Sequence, residues 1–166
     1  MQKQADETPD MLDLPIIYDE YPIQELIINE CIVEVAEAYK VDPLLLRAIR
    51  EHERGDVGKK NLNTDGSWDL GPFQINTIHL PELAREFGLT EHDLMYDPCK
   101  NAAVAGWHLR NKINENKGNV WKGVAWYHSK TPSLGNRYKQ LIVGMYKRLM
   151  IKAERLRVRI ADTGSY

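Results

Sequence analysis

Asp42-Pro43-Leu44-Leu45-Leu46-Arg47-Ala48-Ile49-Arg50-Glu51-His52-Glu53-Arg54-Gly55 holds a well-marked helix and, at its end, a carboxylate placed where chemistry can use it. Asp42 can cap the free N–H groups of the first turn, and Pro43 suits the first helical position. The apolar run that follows continues the helix, and Gly55 is a plausible stop. Glu53 lies one turn on from Ile49 and two turns on from Leu46, so it borders the apolar face, while Glu51 points away from it. A carboxyl group against apolar walls has its ionised form disfavoured, and its pKa rises. A general acid working near neutral pH needs that shift. An exposed Glu at a helix end is the ordinary alternative.

Outward from this helix the pattern stays helical. Upstream, Ile27, Cys31, Val35 and Ala38 recur at three and four, which predicts an amphipathic helix over 23–39. Residues 1–22, with Pro9, Pro15 and Pro22 and many acids, read as an arm whose short apolar pieces include Leu14, Ile16 and Ile17. Downstream, residues 56–71 are rich in Gly, Asn and Asp and predict an irregular loop or a short hairpin turning at Asp65-Gly66. Helices are expected at about 80–88, 91–95, 99–115 and 120–128, with a break at Lys117-Gly118-Asn119 and a turn at Lys130-Thr131-Pro132. A last helix from near Asn136 carries Tyr138, Leu141, Ile142, Met145, Leu149, Leu156 and Ile160 at helical spacing. The expected fold is mainly α, one domain, with a long irregular loop or short hairpin in the middle. A loop that long inside a compact domain is usually functional.

Two further stretches could serve a site. Gly71-Pro72-Phe73-Gln74-Ile75-Asn76 has two amide side chains two residues apart beside a glycine. Amides can donate to and accept from sugar hydroxyl and N-acetyl groups, and Gly lets backbone approach a ligand. Ala125-Trp126-Tyr127-His128 offers aromatic faces that pack on sugar rings, with a phenol as polar handle. Taken singly, the first could be an ordinary turn and the second a core helix.

Three blocks together resemble the lytic transglycosylase domain of the soluble-transglycosylase type, within the lysozyme superfamily. Ala48 to Gly55 resembles that family's Ala-Ile-x-x-x-Glu-Ser-Gly, and Gly71 to Asn76 resembles Gly-Leu-Met-Gln-Ile-Asn. Asp97-Pro98, Asn101 and Ala125-Trp126-Tyr127 resemble the Asp-Pro, Asn and Ala-x-Tyr that follow, in the same order over about residues 31–140. Tyr127-His128-Ser129-Lys130-Thr131-Pro132 and the Gly71-Pro72 pair are similar to the branch associated with conjugation, type IV pilus and secretion systems.

The resemblance implies a lysozyme-like fold and cleavage of the MurNAc-GlcNAc bond of peptidoglycan without water, leaving 1,6-anhydroMurNAc ends. Glu53 would be the catalytic residue. Gln74, Asn76, Tyr127, Phe73 and Gly71 would form the substrate site. Partners would be glycan strands and components of a secretion, pilus or conjugation machine. Two other readings stand beside it. One is a hydrolase resembling goose-type lysozyme, for which Asp65 and Asp69 are candidate second carboxylates. The other is a non-catalytic peptidoglycan-binding assembly factor. The chain departs from the family pattern at Arg54, in place of Ser, and Phe73, in place of Met, both expected to alter the sugar cleft. His52 stands where an aliphatic residue is more usual.

Cys31 and Cys99 fit no CxxC metal pattern, and by themselves they could be buried thiols. The resemblance implies that they pair, which needs an oxidising compartment. The N-terminus lacks the apolar core of a signal peptide, and no apolar run reaches the ~18 residues that span a bilayer. A periplasmic protein whose signal has been removed is therefore expected. The five histidines show no HExxH-like spacing, so neither metal nor cofactor is expected. Net charge is −2, which does not point to nucleic acid. It is unevenly spread: residues 1–30 carry eight acids against one Lys, and residues 147–159 six Lys/Arg against one Glu. The ordinary reading is an acidic tail and a solvated basic helix face. The division expected is an arm at 1–22, a catalytic body at 23–150 and a basic helical extension at 151–166.

Overall fold

The computed structural model describes residues 23–163; the acidic arm expected at 1–22 lies outside them. Among the described residues seven α-helices pack together with a small sheet at one side. α1 (Ile23–Tyr39) turns through Lys40 into α2 (Pro43–Glu53). The Asp42 side chain accepts the Leu44 N–H at 2.8 Å, the cap that the sequence predicts. The helix ends one residue before the expected stop. Arg54 itself takes the left-handed conformation, at φ 52°, and its N–H returns to the Arg50 carbonyl. Gly55 is needed for a different reason, given below.

The loop is a three-stranded antiparallel sheet of β1 (Lys60–Leu62), β2 (Trp68–Leu70) and β3 (Ile75–Asn76), in order β1-β2-β3. The expected hairpin is β1-β2, with Asn61 opposite Asp69. Gly66 turns at φ 85°, and Asp65 accepts from the Ser67 N–H and hydroxyl. The third strand adds the pair Asp69 and Asn76, with no alternation in the sequence long enough to announce it.

A 3-10 turn (Thr77–His79) leads to α3 (Leu80–Phe87), α4 (Glu91–Tyr96), α5 (Pro98–Glu115), α6 (Val120–His128) and α7 (Pro132–Thr163). The last helix starts four residues earlier than expected. Pro132 lacks an N–H and so costs nothing in a first turn, which makes it a helix start rather than part of the preceding turn. α7 continues unbroken through residue 150; Leu149 still packs on the core, while Ile151, Leu156 and Ile160 are exposed.

α1 packs on α5, α5 on α6, α6 on α7 and α7 on α2. Fully buried Leu46, Ile49, Leu70, Leu94, Leu109, Val124 and Ile142 fill the space between them. This places the end of α2 and the sheet on one side of the bundle, where α5, α6 and α7 form the facing wall.

Cys31 and Cys99 form a disulfide, Cα–Cα 4.9 Å, which ties α1 to the first turn of α5. The bridge spans 68 residues, and closing so long a loop should contribute about 4 kcal/mol by the chain-entropy estimate. Denaturant unfolding with and without a thiol reductant should therefore differ by about that amount. Coincident transitions would show that the bridge does not carry this stability.

Candidate active site

Glu53 is delivered to the cleft by the last turn of α2. The Tyr138 hydroxyl, from α7, donates to its Oε1 at 2.7 Å. Burial pushes the carboxyl up from the usual 4.5 to about 7; the Tyr138 hydrogen bond opposes that rise and the charge of Asp69 adds to it. Near neutral pH this one group is thus close to evenly divided between acid and base. Burial and the nearby Glu53 charge raise the Tyr127 hydroxyl well above its ordinary range. Burial is likewise the main cause at Tyr138, with Glu53 adding to it, so both phenols stay protonated beside the carboxyl.

Tyr138 is itself clamped. The His128 ring stacks on it at 4.7 Å and 3°, and the His52 ring meets it edge-on at 5.0 Å and 89°. Burial lowers the pKa of both imidazoles, which favours their neutral forms in this packing. Glu51, by contrast, faces outward and pairs with Arg47 at 3.3 Å.

The loop 71–76 is held against the end of α2 and against α4 by close backbone approaches that only glycine allows, and against α5 by the Asn101 side chain. A Cβ on Gly55 would collide with the Gly71 carbonyl oxygen and with Gln74 Nε2. Gly55 also donates its N–H to the Pro72 carbonyl at 3.2 Å. Gly71 sits at φ 61°, where a Cβ would run into the Leu94 carbonyl. Asn101, fully buried on α5, donates to the Leu70 and Leu94 carbonyls at 2.9 and 2.8 Å and accepts the Phe73 N–H at 2.8 Å.

Gln74, in the left-handed region at φ 50°, donates to the Gly71 carbonyl at 2.8 Å and accepts from Asn61 at 2.5 Å. Asn76 donates to Ser67 Oγ and to Asp69 Oδ1, both at 2.9 Å, and accepts the Ile78 N–H at 2.9 Å. Both amides line the cleft, and both hold the loop. By inventory, Gln74 keeps one N–H and one lone pair for a ligand, and Asn76 one lone pair. Phe73 lines the cleft while almost wholly buried; Gly71 is buried and shapes the turn without lining it.

The cleft has a volume of about 640 Å³, within the usual span of ligand sites. Opposite the sheet its wall is built by Tyr127 of α6 and by Trp107 and His108 of α5, with His79 beside them. His79 and His108 lie 5.1 Å apart, and burial lowers His108 to about 4, so it is neutral at pH 7. Asp65 and Asp69 both line the cleft with Glu53; the Asp69 charge adds to the rise at Glu53, while Asp65 is held on the hairpin turn by Ser67. Arg54 does not line the cleft, contrary to expectation: its Nε turns back to the Glu51 carbonyl at 2.9 Å. The sequence offered no signal for Trp107, His108, His79 or Tyr138 as site residues, because nothing local distinguishes them from core positions. Among the described residues no three metal-ligating side chains gather.

Residues 30–140 match the family model of the Transglycosylase SLT domain. The chain is 30% identical over 125 residues to Invasion protein IagB of Salmonella typhimurium, covering 72% of this chain and 77% of that protein. It is 35% identical over 103 residues to Protein IpgF of Shigella flexneri, covering 61% of this chain and 66% of that one. X polypeptide of Escherichia coli is 32% identical over 102 residues, covering 61% and 59%.

Proposed function

The chain belongs to the transglycosylase SLT domain family, and from that premise we propose that it is a peptidoglycan lytic transglycosylase in which Glu53 serves as both acid and base. Protonated Glu53 gives its proton to the glycosidic oxygen between MurNAc and GlcNAc. The substrate's own N-acetyl group stabilises the charge that develops at C1, outside the two-carboxylate pattern. Ionised Glu53 then takes the proton of the C6 hydroxyl, which attacks C1 and closes a 1,6-anhydro ring. No water is consumed.

The observation that carries this reading is the Glu53 carboxyl at the cleft, hydrogen-bonded by the Tyr138 hydroxyl and raised by burial to about 7. Gln74 and Asn76 would meet the sugar with their remaining hydrogen-bonding capacity, on a floor shaped by Phe73 and Gly71, and Tyr127 would pack on the ring from above. Digestion of purified peptidoglycan tests it: anhydro-muropeptides should appear by mass spectrometry.

Asp69 supports a second reading. It shares the cleft and couples electrostatically to Glu53, as a hydrolase resembling goose-type lysozyme would require of a second carboxylate. Such an enzyme would release reducing ends, each heavier by one water.

The setting we propose is the periplasm, where the Cys31–Cys99 bridge would persist. Work beside a secretion, pilus or conjugation machine is proposed from the resemblance of Tyr127 to Pro132 and of Gly71-Pro72 to the branch associated with those machines.

Tyr138→Phe removes the hydrogen bond that favours ionised Glu53. The acid must be protonated in the free enzyme, so kcat/KM should fall as pH rises through about 7. In the variant that falling limb should move to higher pH. A limb that stays put, or moves to lower pH, would show that Tyr138 does not set the titration of Glu53.

A further inference from the structure

The two aromatic residues of the block Trp126-Tyr127 point to different sides of α6 and line different grooves. Tyr127 and His128 face the cleft, whereas residues 121, 122, 125, 126 and 129 fall on the other face by helical periodicity. That face and the first turns of α7 enclose a second groove of about 540 Å³.

Its floor is a close helix contact: a Cβ on Gly135 would meet the Ser129 carbonyl oxygen at 2.5 Å and that of Ala125 at 2.9 Å. Trp126 stands in the groove with the Lys130 ammonium 4.7 Å and the Lys122 ammonium 5.7 Å from its ring centroid. Lys139 adds a third cation from α7, and among the described residues no carboxylate lines the groove. Lys130 is paired from outside by Glu115 at 2.8 Å, so Lys122 and Lys139 supply the surplus positive charge. Asn119, whose side-chain oxygen caps α6 at Lys122, and Asn136 add two amides to the lining.

We propose that this groove is a second, non-catalytic binding site for a glycan strand that carries carboxylates. An indole face packs on the C–H face of a pyranose ring. Ammonium groups beside it answer a carboxylate, and amides answer hydroxyl and N-acetyl groups. A peptide would ask for aliphatic anchor pockets or a free strand edge; this groove offers flat indole and a polar rim. In the setting proposed above, on which the identity of the polymer rests, the ligand is peptidoglycan itself. A strand held here keeps the cleft at high effective concentration on an insoluble wall.

The test uses the full chain carrying Glu53→Gln, so that binding is read without cleavage, in co-sedimentation with insoluble peptidoglycan. Lys122→Gln with Lys139→Gln, and separately Trp126→Ala, should each weaken binding about tenfold. Lys122 is exposed and Lys139 half-buried, and Gln keeps much of each stem, so the replacement does not endanger folding. On chitin, a neutral glycan, the lysine changes should make no difference. With Glu53 restored, all three substitutions should leave turnover of short soluble fragments unchanged. Unaltered sedimentation of both variants would overturn the site. An equal loss on chitin would show that charge is not read there. Displacement of peptidoglycan by a synthetic peptide of residues 1–22 would assign the groove to the chain's own acidic arm instead. Normal groove-dependent sedimentation by a protein that cleaves nothing would sink the proposed activity and leave this site standing.

Discussion

Glu53→Gln should fold normally and release anhydro-muropeptides about 10³-fold more slowly than the parent protein, the scale of a lost general acid and base. The substitution keeps the shape of the side chain and one acceptor for the Tyr138 hydroxyl while removing the proton that is transferred. Glu51→Gln is the control: Glu51 faces outward to Arg47, and its loss should leave most activity in place. Substantial release from Glu53→Gln would refute the assignment, and absence of release from both proteins would favour the non-catalytic reading.

The same substitution should stabilise the protein, and only at high pH. Burial raises the Glu53 pKa from 4.5 to about 7, so ionising it in the folded state costs about 3 kcal/mol that the unfolded chain does not incur. That cost is absent below pH 4.5, grows as pH rises, and is complete above about 7. Melting curves of the two proteins should therefore coincide near pH 4 and separate by pH 8, with Glu53→Gln the more stable. Equal melting at both pH values would mean that the carboxyl is not held in its buried, raised state.

Asn101→Leu should be the most damaging single change outside the cleft. Leucine keeps the branched shape and the number of side-chain heavy atoms and removes every polar atom. Three backbone groups then lose their partners in a site closed to water: the Leu70 and Leu94 carbonyls and the Phe73 N–H. Leu94 is the clearest case, because the residue four positions on is Pro98, which has no N–H to offer. At about 1–3 kcal/mol for each orphaned group, the loss should come to about 5 kcal/mol, a large part of a domain's stability. The variant should populate unfolded protein at modest denaturant concentrations. A loss near 1 kcal/mol would show that these groups find other partners.

Asn101 also shows what local reading can and cannot see. The resemblance drew attention to it, but nothing in the neighbouring sequence says that its amide braces a loop 28 residues away. The Asp42 cap was legible for the opposite reason. It acts on an N–H group two residues along, so residue type and spacing define the contact. The hairpin turn was legible because Asp65, Gly66 and Ser67 close it among themselves. Helix ends were less so: Arg54 takes a left-handed conformation usually left to Gly, since Gly55 is required one position later for the approach of the Gly71 carbonyl.

The sequence by itself determined a mainly α chain, a polar loop after α2 and a carboxylate at the border of an apolar helix face. Periodicity, capping and turn chemistry act over a few residues, and one chain contains all of that information in order. The tertiary structure decided what surrounds that carboxylate. It brings Tyr138 to Glu53 across 85 positions and clamps the phenol between two histidines that no spacing connects. It also sends Trp126 and Tyr127, neighbours in the chain, into separate grooves. These placements depend on which helix faces meet when α2, α6 and α7 pack, and on the path of the loops between them. They are products of burying one shared core, so they exist only once the whole chain has folded.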